Sequence, residues 1–325
     1  MSVKNKLAEN FPLSLQEIIW DYTQLPPDAT ETFYHYTTRT GLEGILRSGG
    51  LRATYRLLMS DLGEFDYAIK LFYGVLEEVD KDPSLPGVTH SLTEYIRLNL
   101  EKFRDDSSNN WASYCACMTL SSDHTGQWKS YGDNGKGLSL GFNIPVILSQ
   151  HYRLASEGKG HLVMLPVTYD PVKQRVLVRK LIRAGIADLQ SFMETGSNCL
   201  ADLTALRNRI TFEIFLRLHC FKDFMKDPEY TSEKEIRFIW NPNEKRYPHK
   251  EVKYFQRGDE KVPFLLFDLR SSITNRLPLQ EIRVGPNALF SKELDFVQSL
   301  LDELGYGREI HQDRPRIIAS SLSGC

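Results

Sequence analysis

Three residue groups in this chain have the types and the order to do chemistry together. The first is His35, set between aromatics in Tyr34-His35-Tyr36-Thr37. The second is Tyr131, in Trp128-Lys129-Ser130-Tyr131-Gly132-Asp133. The third is the pair Glu233 and Glu235, in Glu233-Lys234-Glu235-Ile236-Arg237-Phe238. A histidine can donate to a ribose hydroxyl or a diphosphate without changing charge. A tyrosine offers a flat face that stacks on a nicotinamide ring. A fixed carboxylate stabilises the positive charge that develops on a ribose as a glycosidic bond breaks, and a second one orients or deprotonates the incoming nucleophile. In this order the groups suit an enzyme that grips NAD and breaks its nicotinamide–ribose bond. Each also has a plainer explanation: a half-buried histidine on a backbone partner, a tyrosine covering a core edge, and solvated glutamates at a strand end.

The elements that must position these groups can be read from hydrophobic period and punctuation. Phe33 to Tyr36 reads as a strand. Thr40 with Glu43 reads as a capping box opening a helix that buries Leu42, Ile45 and Leu46, and Gly49-Gly50 ends it. Residues 64–80 carry apolar side chains at helical spacing, and Ser91 with Glu94 reads as a second capping box. Trp111 to Leu120 reads as a buried strand, 123–131 as a short helix, 137–142 as a strand and 145–155 as a helix. A strand over 162–169, helix over 171–222, strands at 235–240, 251–256, 262–269 and 281–284, a helix over 291–304 and a strand at 307–311 complete the pattern. Glu233 and Glu235, two apart at the start of a strand, are expected on the same side, with Glu233 the more mobile. Strands and helices fall in patches rather than alternating, which favours an α+β fold.

The chain has 325 residues, enough for a sizeable core. At 41% hydrophobic and 25% charged it is near globular averages, so disorder is not expected. A formal net charge of −2 gives no global basic field for nucleic acid. The cysteines at 115, 117, 199, 220 and 325 are odd in number and sparse, which points to reduced thiols and a cytoplasmic protein. No secretory core or apolar run of spanning length is evident, so no membrane partner is expected. The expected organisation is an N-terminal helical segment over 1–30 and a single domain over 31–325, with helical insertions near 64–107 and 171–222.

Taken together, Tyr34-His35-Tyr36-Thr37, Gly44-Ile45-Leu46 with Gly49-Gly50-Leu51, Ser130-Tyr131-Gly132-Asp133 and Gly137 to Phe142 resemble a widespread bacterial family of unknown function. Phe221-Lys222, Tyr230 to Arg237 and Ile282 to Pro286 resemble it too, so the resemblance spans residues 33 to 312. That family is in turn similar to ADP-ribosyltransferases of the histidine–tyrosine–glutamate type. The resemblance implies an α+β, ADP-ribosyltransferase-like split β-sheet core. It implies NAD as a substrate, no metal, and transfer of ADP-ribose to a macromolecular acceptor, protein or nucleic acid, with water as a side acceptor. His35, with Tyr36, Thr37 and Ser121 nearby, would bind NAD, Tyr131 would stack on nicotinamide, and Glu235 or Glu233 would be catalytic. The pair also resembles the paired glutamates of arginine-modifying members. Many such proteins are bacterial toxins or antiphage effectors, some with a neutralising partner. The minimal fold of those enzymes needs no counterpart of 64–107.

Other readings stay open beside this one. A catalytically silent nucleotide-binding module would use the same fold. Gly137-Leu138-Ser139-Leu140-Gly141 fits the nucleophile elbow of serine hydrolases, but an elbow needs a helix starting at the serine, and Ser139 sits within a strand pattern. Gly135-Lys136-Gly137 lacks the spacing of a phosphate loop. Cys115 and Cys117 have no partner pair for zinc.

Overall fold

The structure is a computed structural model, and it describes residues 31–59, 63–107, 114–149, 162–194, 200–221, 223–240, 252–307 and 314–323. The N-terminal segment over 1–30 and most of the strand expected at 307–311 lie outside the described residues. The fold is α+β. Two compact units divide the chain. One gathers the helices found within Asp61–Trp111 and Val167–Tyr230, and the other gathers the strands.

The helical unit packs α2 (Gly63–Asp80), α3 (Val88–Ser107), α5 (Pro171–Glu194) and α6 (Leu200–Phe221). Phe72, Val75, Leu76 and Val79 of α2 recur at helical spacing and are fully buried, as are Leu177, Leu181 and Ile182 of α5. Burying each such side chain stabilises by about 1.5–3 kcal/mol. Arg175 and Arg179, one turn apart, both pair with Glu78, and Arg183 pairs with Asp82 at 3.2 Å. Buried Gln174 donates to the carbonyls of Thr168 and Lys226, both at 2.8 Å, and so ties the chain flanking the helices together. Helix α3 begins at Val88, ahead of Ser91, so Ser91 lies within the helix and does not cap it.

The strand unit holds β1 (Thr32–Thr37), β2 (Gly50–Tyr55), β3 (Tyr114–Thr119), β4 (Leu138–Asn143), β5 (Leu162–Pro166), β6 (Glu235–Trp240), β7 (Lys253–Arg257), β8 (Glu260–Asp268), β9 (Leu279–Val284) and β10 (Arg316–Ala319). Among the helices that accompany them are α1 (Arg39–Ser48), α4 (Thr125–Tyr131) and α7 (Phe290–Glu303). The strand order is β10-β9-β4-β1-β3-β2-β8-β7, with β6 on β3 and β5 on β6. Among these described strands, the pairings are antiparallel except β9 with β10.

The sheet forks at β3. Along one edge, β3 pairs with β6 from Tyr114–Trp240 to Thr119–Glu235. Its other edge is shared. Thr119 pairs with Tyr34 of β1, whereas Cys115 and Tyr114 pair with Thr54 and Tyr55 of β2. β1 and β2 therefore part company, and α1 joins them. The apolar face of the sheet, with Phe33, Phe142 and Leu279 in a row, buries Leu42, Ile45 and Leu46 of α1 and Val297, Leu300 and Leu301 of α7.

Local chemistry sets the ends of α1. Its N-cap is Thr38, whose Oγ1 accepts from Gly41 N at 3.0 Å. Thr40 lies within the first turn, and Glu43 pairs with Arg47 at 3.0 Å rather than closing a capping box. Gly49 (φ 72°) takes the left-handed position that ends the helix.

Candidate functional site

Beside the fork lies a cavity of about 500 Å³, within the range of small-molecule sites. His35 and Thr37 of β1 line one side, with Thr38, Thr40, Gly44 and Ser48 of the α1 segment. Arg52, Phe264, Leu266 and Lys253 line the other. Among the described residues, the lining carries two cations, several hydroxyls and no carboxylate. The α1 N-terminus adds partial positive charge. This is an environment for an anionic ligand. Arg52 lies over the rings of Phe255 (5.2 Å) and Phe264 (5.1 Å), which fixes the guanidinium at the cavity wall.

His35 is half-buried, and its Nδ1 lies 2.9 Å from the Cys117 carbonyl oxygen. A carbonyl only accepts, so Nδ1 carries the proton, and in the neutral ring Nε2 is an acceptor. Burial lowers the His35 pKa from its ordinary 6.5, opposed by the Cys117 carbonyl, so the ring is neutral at pH 7. The expectation that His35 donates to a ligand hydroxyl is therefore reversed. Nδ1–H is committed to the fold, and Nε2 accepts.

Glu235 is the first residue of β6 and is buried. Its carboxylate is gripped side-on by Arg237, with Nε to Oε1 at 2.9 Å and a terminal nitrogen to Oε2 at 2.8 Å. The two residues are two apart on a strand and so share a face. Across β3, Thr119 and Cys117 stand opposite them. The Cys117 thiol is pushed well up by the adjacent Cys115 sulfur at 3.7 Å, by burial and by Glu235, and stays protonated.

Glu233 lies outside β6, so strand alternation does not set it on the face of Glu235. It ends a 3₁₀ turn, Pro228–Glu233, and Lys234 has a left-handed φ of 44°. Strand alternation therefore does not extend back to it. Nor is its backbone loose: the Glu233 carbonyl accepts from Thr119 Oγ1 at 2.6 Å and Gln127 Nε2 at 3.3 Å.

Tyr131 is the last residue of α4 and is half exposed. The turn beyond it is built on Asp133 and Asn134, both at φ 51°. It closes on Gly137, where a Cβ would stand 2.2 Å from the Thr37 carbonyl oxygen. Tyr36 is buried. Its hydroxyl donates to Ser121 O and accepts from His124 N, both at 3.0 Å, and its ring meets Trp128 edge-on at 4.7 Å. Tyr36 and Ser121 thus anchor α4 to β1.

The candidates gather around the fork without sharing one wall. His35 and Thr37 line the cavity; Tyr36, Ser121, Tyr131, Glu233 and Glu235 do not. In register, His35 lies on the side of β1 occupied by Leu140, whereas Glu235 aligns through Thr119 with Tyr34 on the other side. The contact that links them runs through Cys117, whose carbonyl holds His35 and whose strand partner is Arg237. Ser139 lies in the middle of β4, fully buried and opposite Tyr36, where no nucleophile elbow exists. Among the described residues, no three of His, Cys, Asp and Glu cluster as metal ligands would. Nor is any described helix long and apolar enough to cross a membrane.

Comparison with known proteins adds one match. Residues 127–238 match the model of a family described as Protein of unknown function (DUF2971). That stretch contains Tyr131, Glu233, Glu235 and Arg237 but not His35, and it is shorter than the resemblance over 33–312. No curated protein matches the chain, and no solved structure does.

Arg237, Arg52 and Lys253 are the site residues that sequence reasoning passed over. Arg237 had a signal, since a charge two residues from a strand glutamate shares its face. Arg52 and Lys253 had none, because only the β2–β8–β7 pairing brings them together.

Proposed function

We propose that this protein is an NAD-dependent ADP-ribosyltransferase acting on a macromolecular acceptor, and that its biological setting is that of a bacterial toxin or antiphage effector. The observation that carries the reading is placement. His35 lies on β1 and Glu235 opens β6, with β3 paired to both; in register they lie on opposite sides of the sheet, so the ligand would reach from the cavity to Glu235 through the fork, while α4, which ends in Tyr131, is bonded to Tyr36 and to the Glu233 carbonyl.

In this reading the cavity takes the ADP half of NAD. Arg52, Lys253 and the α1 N-terminus face the diphosphate, and His35 Nε2 accepts a hydrogen bond from a ribose hydroxyl. Tyr131 stacks on nicotinamide. Glu235 accepts from the 2′-hydroxyl of the nicotinamide ribose and stabilises the cationic transition state as the C1′–nitrogen bond breaks. The bond's electrons leave with nicotinamide, which departs neutral. The acceptor's nucleophile then bonds to C1′, and its proton passes to Glu233.

The test is incubation with NAD labelled in its adenylate half. Nicotinamide release and labelled acceptor support the reading, and NAD bound without turnover removes it. One observation favours a second reading, a silent nucleotide-binding module. Both oxygens of Glu235 already rest on a buried guanidinium, an arrangement that structure alone would account for.

A further inference from the structure

We propose that Arg237 is the positioning residue for Glu235, holding its carboxylate ionised and in one orientation for the reaction. This rests on the transferase reading above. The geometry is specific. The guanidinium is 1% exposed and presents its Nε edge, so both carboxylate oxygens are bound at 2.8–2.9 Å. Such a fork fixes the plane of the carboxylate as well as its position.

The pair also answers a problem that burial creates. A carboxyl out of water tends to hold its proton, and an adjacent cation opposes that. Opposite on β3 stand Cys117, held as the neutral thiol, and Thr119, whose hydroxyl is turned to the Glu233 carbonyl. On β5 the partner of Arg237 is Leu165. On β1, Tyr34 aligns with Thr119. Gln127 of α4 donates to the Glu233 carbonyl, and Lys234 before the strand is exposed. Replacing a buried ion pair with apolar residues is often neutral or stabilising. Around the pair, Ile236, Phe238 and Ile239 make the rest of β6 apolar.

The experiment follows nicotinamide release by Arg237→Gln and Arg237→Lys against pH, beside the unaltered protein. For Arg237→Gln we expect kcat to fall by about 100-fold with KM changed by less than about threefold, because rigid placement of one charged group is lost. The acid limb of kcat should move up by about one pH unit or more, as the carboxyl loses its cation. Arg237→Lys keeps charge but not the fork, so it should restore the acid limb and recover only part of kcat. If the unaltered protein releases nicotinamide and Arg237→Gln keeps both its kcat and its acid limb, the positioning role is overturned alone. If the unaltered protein releases none at any pH, the transferase reading falls and the positioning role with it. Should neither variant fold, the Glu235 carboxyl is followed by carbon NMR in the unaltered protein, assigned by loss of its signal in Glu235→Gln. It should stay ionised well below the ordinary glutamate value of about 4.3; titration at or above that value overturns the proposal.

Discussion

His35 Nδ1 donates to the Cys117 carbonyl at 2.9 Å, across the gap where β1 leaves β3. A side chain takes a backbone acceptor there. The bond fixes the tautomer, and with it the kind of partner that Nε2 can meet.

The first prediction concerns pH. The native His35 pKa lies below its ordinary 6.5, chiefly through burial. Between 6.5 and the lower native value, the unfolded chain binds a proton that the native ring refuses. Stability is therefore full above 6.5 and falls as pH drops through that window. His35→Gln should lack this component. Urea unfolding at intervals from pH 7.5 to 5 should show the two proteins' stability curves changing their separation below 6.5. Parallel curves would show that the ring titrates as it does in water.

The second concerns the cavity. Arg52→Ala and Lys253→Ala should each weaken NAD binding by about tenfold, as loss of one phosphate cation usually does. The loss should extend to ADP-ribose and leave free nicotinamide unaffected. Calorimetry with all three ligands checks this. Unchanged ADP-ribose affinity in the double variant would move the diphosphate elsewhere.

The third separates the glutamates. Glu235→Gln should abolish nicotinamide release while NAD still binds, and Glu233→Gln should impair acceptor labelling more than NAD cleavage. Glu235→Gln should also cost about 3 kcal/mol of stability, because it leaves the Arg237 charge buried without its counter-ion. Thermal melts must accompany the assays. Full activity in both variants would remove the carboxylates from the mechanism.

The fourth tests Tyr131. Tyr131→Phe keeps the ring and should preserve turnover; Tyr131→Ala should raise KM for NAD by about tenfold through lost stacking. Equal kinetics for Ala and Phe would return Tyr131 to the surface.

Most elements were legible because their signals are local. Gly49 ends α1, the alternation of Leu138, Leu140 and Phe142 marks β4, and the apolar spacing of Phe72, Val75, Leu76 and Val79 marks α2. Two local readings misplaced a cap, since Thr38 and Thr40 both offer a hydroxyl and only the backbone decides which one turns inward. The strand argument for Glu233 did not hold because a turn and one left-handed residue, Lys234, separate it from β6. The cavity cations were illegible for another reason. Arg52 and Lys253 meet through pairing registers set by distant strands, and nothing in either neighbourhood announces the other.

The fork has a consequence for how the chain breathes. Between its pairings with Tyr34 and Thr54, β3 runs through Ala116, Cys117 and Met118 with a neighbouring strand on the β6 side alone. Imidazole takes the place a third strand would hold. A ring can swing away and return far faster than a strand can be stripped and re-laid. Deuterium uptake should therefore be quickest along this stretch of β3 when the ring is lost, and slowest when a ligand on Nε2 keeps it in place.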